Sequence, residues 1–417
     1  MELLVQRCAF IDIHRDTAVT CVRTPDDTGG RCKQTRTFGT TTSQILQLRD
    51  WLAELQVTLV GMESTGIYWK PIYYLLEDDF ECWLINATHM HNVPGKKTDV
   101  LDAEWGAELI EHGLVRPSFV PPKPIRELRD LTRYRKSVIE ERGREVQRLH
   151  KVLEDAGIKL ASVASKTLTK SGRDMLDALV GGQRDPQVLA AFARGRMRAK
   201  IGQLQEAHEG HFGEHHALIV AQMLARIDHA DATVDALSER IAQVIAPFEH
   251  QVELLCTIPG VKRRTAEVII AEIGADMSRF PTSAHLASWA GMCPGNNESA
   301  GKHKSGKTRK GSKWLRKALV ESAHAAARSK DTYLAAQYAR LRGRRGPKKA
   351  AVAVGHTILV IAYHLLERDV AYHELGGDFY VQLHARHKQA YTNRLVHQLE
   401  KLGYDVDLTE TPHQTAA

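Results

Sequence analysis

The sequence predicts an α/β domain at the N-terminus, then a long helical, coiled-coil-like region, then a mostly α-helical C-terminal domain. Three observations carry this. Short β-rich apolar runs alternate with helical spacing up to about residue 112. Four prolines in VRPSFVPPKP, 115–124, then stop any helix. Beyond them, apolar residues recur mostly at helical spacing.

The elements follow in order. CAFIDIH (8–14) and TAVTCVR (17–23) are apolar strands joined by a tight turn, and 32–39 is a third, more polar strand. Residues 41–55 are helical, with Ile45, Leu48, Leu52 and Leu55 on one face. VTLVGM (57–62) is a buried strand, 68–78 a helix, 81–87 a strand and 99–112 a helix. The antiparallel start followed by strand–helix alternation implies a mixed sheet. Residues 125–156 form a long charged helix with Leu128, Leu131, Val138, Val146, Leu149 and Leu153 as its stripe, either a coiled-coil arm or a packed helix. Residues 160–246 are mostly helical and polar. The domains read as 1–120, 121–247 and 248–375, with a tail over 376–417.

The length of 417 residues is too great for one ordinary compact domain. A hydrophobic share of 43% is enough for real cores and argues against a disordered chain. The absence of a long uncharged apolar run argues against a membrane span, and the first residues do not read as a signal peptide. Six cysteines with no Cys-x-x-Cys pair imply reduced thiols in a cytoplasmic protein. The net charge of +7 is unevenly spread. Residues 301–350 hold 16 Lys or Arg against Glu321 and Asp331, a segment of +14 set on a remainder of −7. Such a stretch fits a polyphosphate partner; a solvated basic face is the plainer reading.

Four carboxylates carry candidate chemistry. Asp12 sits inside an apolar strand, where a charge is costly unless paired or liganded. Glu63 ends the VTLVGM strand. Asp99 and Asp102, three apart, share one face of a helix start. Oxygen ligands of this kind suit Mg²⁺, and two ions could clamp the attacking and leaving oxygens of a phosphodiester. Taken singly, each has a structural reading: Asp12 paired with Arg15 or Lys70, Asp99 a helix-start acid, Asp102 a solvated one.

The second constellation is SWAGMCPGNNESAGKHKSGKTRKGSKWLRKAL, 288–319. Ser299 lies in a glycine-rich loop among Lys302, Lys304, Lys307, Arg309 and Lys310, with Lys313 and Arg316 on the helix that follows from about Ser312. Cations there would hold a phosphate backbone and stabilise charge on a phosphoryl transition state. Ser299 is a candidate nucleophile, Ser305 and Ser312 are rivals, and a hydrogen-bonding role alone is the plainer alternative. Upstream, LLCTIPGVKRRTAEVIIAEIG (254–274) reads as two helices around a Pro-Gly turn. Such a turn can hold a DNA phosphate beside Lys262, Arg263 and Arg264, or serve only for packing. His208, His211, His215 and His216 read as a solvated face, because Gly210 and Gly213 weaken the helix a metal site would need. Tyr68, Trp69 and Trp314 read as core.

These motifs, in this order, resemble the DEDD transposases of bacterial insertion sequences, the group that includes Piv-type DNA invertases and bridge-RNA-guided recombinases. The carriers are FIDIH, GMESTG, KTDVLDA, the IPGV hairpin and the NNESAG…GKTRKGSKWLRKAL block. The NNESAG form is similar to the longer-protein subgroup. The resemblance covers about 1–120 and 250–370. It implies a RuvC-like domain of the RNase H superfamily, with Asp12, Glu63, Asp99 and Asp102 holding Mg²⁺, two ions in all. It implies Ser299 as a nucleophile that forms a phosphoserine link to DNA, in a composite site built by the two domains of an oligomer, a dimer or tetramer. It also implies DNA partners (element ends and target), a structured guide RNA and no membrane. Ala300 stands where the family usually has glycine, which keeps Ser305 as the alternative. Two other functions remain as comparisons: a metal-dependent RuvC-like nuclease without a covalent serine, and a non-catalytic nucleic-acid-binding protein.

Overall fold

The computed structural model describes residues 4–26, 30–64, 66–86, 99–295, 297–299, 302–305 and 307–408, with the side chains of 99, 297–299, 302–305, 387 and 390 outside that description. The chain divides into two compact units between Val120 and Pro121.

The first unit is built on a five-stranded sheet of β1 (Cys8–Ile13), β2 (Thr17–Pro25), β3 (Arg31–Gly39), β4 (Leu59–Glu63) and β5 (Glu81–Ile85). The order is β3-β2-β1-β4-β5. The first three strands are antiparallel, while β1, β4 and β5 run parallel. Alternation divides the strand residues between two faces. Ala9, Ile11, Ile13, Val60 and Met62 pack with α1 (Thr42–Glu54) and α2 (Trp69–Leu76). Cys8, Phe10, Val19 and Leu59 pack with α3 (Asp99–Glu111). Two glycines let α3 approach closely: a Cβ on Gly106 would lie 2.3 Å from the Phe10 ring, and one on Gly61 2.0 Å from Ile110.

The direction of α3 matters for the site. The Ala107 carbonyl accepts from Cys8 Sγ at 3.6 Å, and the Glu111 carbonyl accepts from the Leu4 and Val5 amides. The end of α3 therefore lies at the start of β1, and its first turn at the carboxyl ends of β1 and β4. Glu111, fully buried, ties this end by ion pairs to Arg23 (2.7 Å) and Arg31. Glu111→Ala would leave both guanidiniums without their counter-charge, and is expected to cost about 3 kcal/mol, read as a lower denaturant midpoint.

The second unit opens with α4 (Lys123–Asp155), about 50 Å long at 33 residues. Four short helices follow: α5 (Leu160–Val163), α6 (Lys170–Val180), α7 (Pro186–Ala191) and α8 (Ile201–Ala207). The chain then returns along α4 as α9 (Glu214–Ile245). Arg142 pairs with Asp231, Arg135 bonds Ser238 and Asp155 meets His216, so the two long helices are antiparallel. The polar reading of 160–246 misses a core: Met175, Leu176, Leu189, Leu204, Phe212, Val220 and Leu224 pack on Leu149 and Leu153.

The histidine segment also departs from expectation. His211 and His215 are exposed, but His208 and His216 are buried. His208 Nδ1 lies 2.6 Å from the Leu204 carbonyl, and burial lowers the imidazole pKa below its ordinary 6.5. The unfolded chain therefore takes up a proton before the folded one does. This contribution to stability is present above about pH 6.5 and is lost as pH falls below it. Thermal unfolding at pH 5 against pH 7 should show that loss, and His208→Gln should reduce it.

The remaining helices are α10 (Glu249–Cys256), α11 (Arg263–Ile273), α12 (Ser283–Trp289), α13 (Lys313–Ala326), α14 (Tyr333–Arg345), α15 (Pro347–Arg368) and α16 (Phe379–Lys401), with a two-stranded hairpin of β6 (Asn297–Ser299) and β7 (Lys302–Ser305) before α13. By length and composition α15 is apolar enough to cross a membrane, contrary to the sequence reading. Half of its most apolar window is buried, including Val354, Ile358 and Leu359, and it packs against α12, α13 and α14 as a core helix.

Candidate active site

In unit 1 the parallel pairing of β1 with β4 sets Ile11 opposite Met62. One residue further on come Asp12 and Glu63, both by alternation on the face covered by α3. Asp12 is enclosed, its side chain 12% exposed, with His14 Nε2 3.3 Å from Oδ2. Arg15 instead stands exposed beside Asp16. The first turn of α3, which carries Asp99 and Asp102, lies toward the same strand ends. Hard oxygen donors from two adjacent strand ends and a helix start fit a divalent cation. Among the described residues, no three His, Cys, Asp or Glu side chains converge as a metal-holding group; the Asp99 side chain is outside them.

The turn after Glu63 exposes Ile67 and Tyr68, at 68% and 42%. Tyr68 is therefore no core residue. Trp69 packs edge-on to Tyr73 and Tyr74 beneath it.

In unit 2 the segment around Ser299 is an antiparallel hairpin, not an irregular glycine-rich loop. Ser299 pairs with Lys302, and Ser305 with Asn297 at the other end. The base of the hairpin is closed by the Gly295 amide donating to Lys307 O at 2.9 Å, and by a Pro294–Thr308 bridge. Just below, the two legs cross at Gly291 and Gly311. A Cβ on Gly291 would lie 2.7 Å from the Gly311 nitrogen, and one on Gly311 2.3 Å from Ala290 O. Ser312 Oγ then accepts from the Leu315 amide as the cap of α13 and donates to Glu272 Oε2 at 2.8 Å. Those bonds commit Ser312 to structure.

Glu272 is a residue that local sequence reading passes over. Almost wholly buried, it also accepts two hydrogen bonds from Arg133, at 2.7 and 2.8 Å. It thereby joins α4, α11 and the start of α13. No short-range pattern announces it, because its partners lie 139 and 40 residues away.

The expected cations divide into two sets. Lys262, Arg264, Lys307, Arg309, Lys310 and Lys313 are exposed. Arg263 forms a two-pronged pair with Glu249, which holds that carboxyl below its ordinary pKa. Arg316 donates to Thr308 Oγ1 at 2.6 Å and clips the hairpin base. The side chains of Lys302 and Lys304 are outside the described residues.

Comparison with known proteins bears on both units. A family model described as Transposase matches residues 10–158, and one described as Transposase IS116/IS110/IS902 family matches 252–339. Together they cover more than half of the chain, in the order of its two motif sets. The chain belongs to the IS116/IS110/IS902 transposase family. Among its relatives, the pilin gene-inverting protein of Moraxella bovis is 36% identical over 76 residues, covering 18% of this chain and 23% of that protein. An insertion element IS110 protein of Streptomyces coelicolor is 38% identical over 96 residues, covering 23% of this chain and 22% of its own length. The chain thus matches about a quarter of the length of these relatives. The first transposase model contains all four carboxylates, and the second contains Ser299 and the basic hairpin.

Proposed function

We propose that this chain is a transposase or site-specific recombinase that breaks and rejoins DNA at the ends of an insertion sequence. The observation that carries the reading is the pair of transposase matches, one over the carboxylate unit and one over the serine hairpin. The sheet order, with an acid at adjacent parallel strand ends, is compatible with a RuvC-like domain. Asp12 and Glu63, with Asp99 and Asp102 from α3, would hold Mg²⁺. When bound, the cation supplies Lewis-acid stabilisation of charge on the phosphoryl oxygens.

The protein's own part is positioning and transfer. Ser299 is the nucleophile, and its hydroxyl oxygen attacks a DNA phosphorus. An Oγ–P bond forms, a P–O ester bond breaks, and the released strand-end oxygen takes a proton as the serine loses its own. The energy of the phosphodiester is kept in the phosphoserine link, so rejoining needs no external energy source. Lys262, Arg264, Lys307, Arg309, Lys310 and Lys313 hold the backbone beside it. We read a structured guide RNA and a homo-oligomer as the further partners.

The test is a plasmid bearing the chain's own gene with its flanking DNA, incubated with protein, the RNA transcribed from those flanks, and Mg²⁺. Rejoined products that require the RNA support the whole reading. Cutting without rejoining, and without a protein-linked strand, supports the metal-dependent nuclease instead. Binding alone supports the non-catalytic alternative.

A further inference from the structure

A cavity of about 240 Å³ opens between α4, α11 and α13, all in the second unit. Its walls are apolar and partly aromatic: Ile139 from α4, Val268 from α11, and Trp314 and Ala318 from α13. The rest of its lining is polar and mostly cationic: Arg133, Arg135, Lys136 and Arg264 stand against Glu272 and Glu321, with Arg133 held by Glu272 and Lys136 by Glu321. Arg264, in the first turn of α11, is exposed and has no ion pair among the described residues. The Lys313 ammonium lies 5.0 Å from the centre of the Trp314 ring. A cavity with apolar side chains, an indole and an exposed guanidinium in its lining matches a nucleotide, whose base is planar and whose phosphate is anionic. A compact greasy ligand would need no cations, and a bare phosphate would need no indole. The space takes one ring system, so the base must enter unstacked from its neighbours.

We propose that this cavity captures a single unstacked nucleotide of a bound strand, with its base against Trp314 and its phosphate on Arg264. Arg264 and Thr265 of its lining lie in the first turn of the helix that follows the Pro-Gly turn, and that turn itself packs on α13, where a Cβ on Gly260 would lie 2.4 Å from Ser322 O. It also borders the carboxylate that holds Ser312, the cap of α13. Glu272 lines the cavity and accepts from Ser312, at the foot of the serine hairpin. Occupation of the cavity and placement of the hairpin therefore share one anchor.

The test uses unreactive strands without Mg²⁺, so its outcome is independent of the Ser299 chemistry. Fluorescence anisotropy compares a 12-mer of oligo(dT), an oligo(U) of equal length, and a 12-mer carrying abasic sugars throughout. Trp314→Ala should weaken binding of the base-bearing strands about 5- to 100-fold, with the abasic strand unaffected. Trp314→Phe should recover most of the loss, because stacking survives. Whichever of oligo(dT) and oligo(U) shows the larger base-dependent effect identifies DNA or RNA as the source. Equal loss on base-bearing and abasic strands would overturn the proposal, as would no loss at all. Thermal unfolding of Trp314→Ala checks that the unit is intact, and if it is not, Ala318→Leu, which fills the cavity and leaves the indole in place, must give the same base-specific loss.

Discussion

Asp12→Asn should lower strand cleavage on the order of 10²- to 10³-fold while DNA binding holds or tightens. The substitution keeps the shape of a side chain that is almost wholly enclosed at the end of a central strand, so the sheet should tolerate it. What it removes is the negative charge that would hold a cation. A cation's stabilisation of phosphoryl charge amounts to several kcal/mol, and each 1.36 kcal/mol is a factor of about ten in rate. Binding does not fall with it, because one fewer anion faces the DNA backbone. Cleavage rates on supercoiled plasmid and affinities by filter binding separate the two effects. Unchanged cleavage in Asp12→Asn would remove the carboxylate site from the chemistry.

Ser299→Ala should reduce rejoined product by at least about 10³-fold, since loss of a nucleophile removes the reaction path and not merely a rate factor. The effect should be selective. Ser299 sits where β6 ends, with Lys302 opposite. Ser305 pairs at the other end of the hairpin, and Ser312 is committed to capping α13. Ser305→Ala should therefore retain activity. Ser312→Ala should lose it partly and through stability, because Glu272 would lose one of its donors and α13 its cap, at about 1 kcal/mol for the cap.

Much of this molecule is legible in its sequence because its signals are local. Short continuous apolar runs in FIDIH and VTLVGM mark buried strands, and the shared face of Asp12 and Glu63 follows once the two strands are taken as parallel neighbours. Ser312 before KWLRKAL announces a helix start. What escaped reading depends on partners far along the chain. Arg263 reads as a DNA contact until Glu249 is found beside it. Arg316 reads the same way until its guanidinium is seen closing the hairpin base. The 214–245 helix looks polar because its buried positions are sparse, and only the antiparallel pairing of Arg142 with Asp231 shows which face is inward. Residue type alone puts Tyr68 and Trp314 in the core. Tyr68 is exposed by the turn after β4 and Trp314 is half-buried beside a gap between three helices, neither of which has a sequence signature.

The most direct test of the central claim is to trap the reaction with Mg²⁺ and element DNA, digest the protein, and locate the DNA-linked peptide by mass spectrometry. The account predicts a nucleotide adduct on Ser299, absent in both Ser299→Ala and Asp12→Asn and present in Ser305→Ala. An adduct on Ser305, or cleavage in Ser299→Ala as fast as in the unaltered chain with no adduct anywhere, would contradict it.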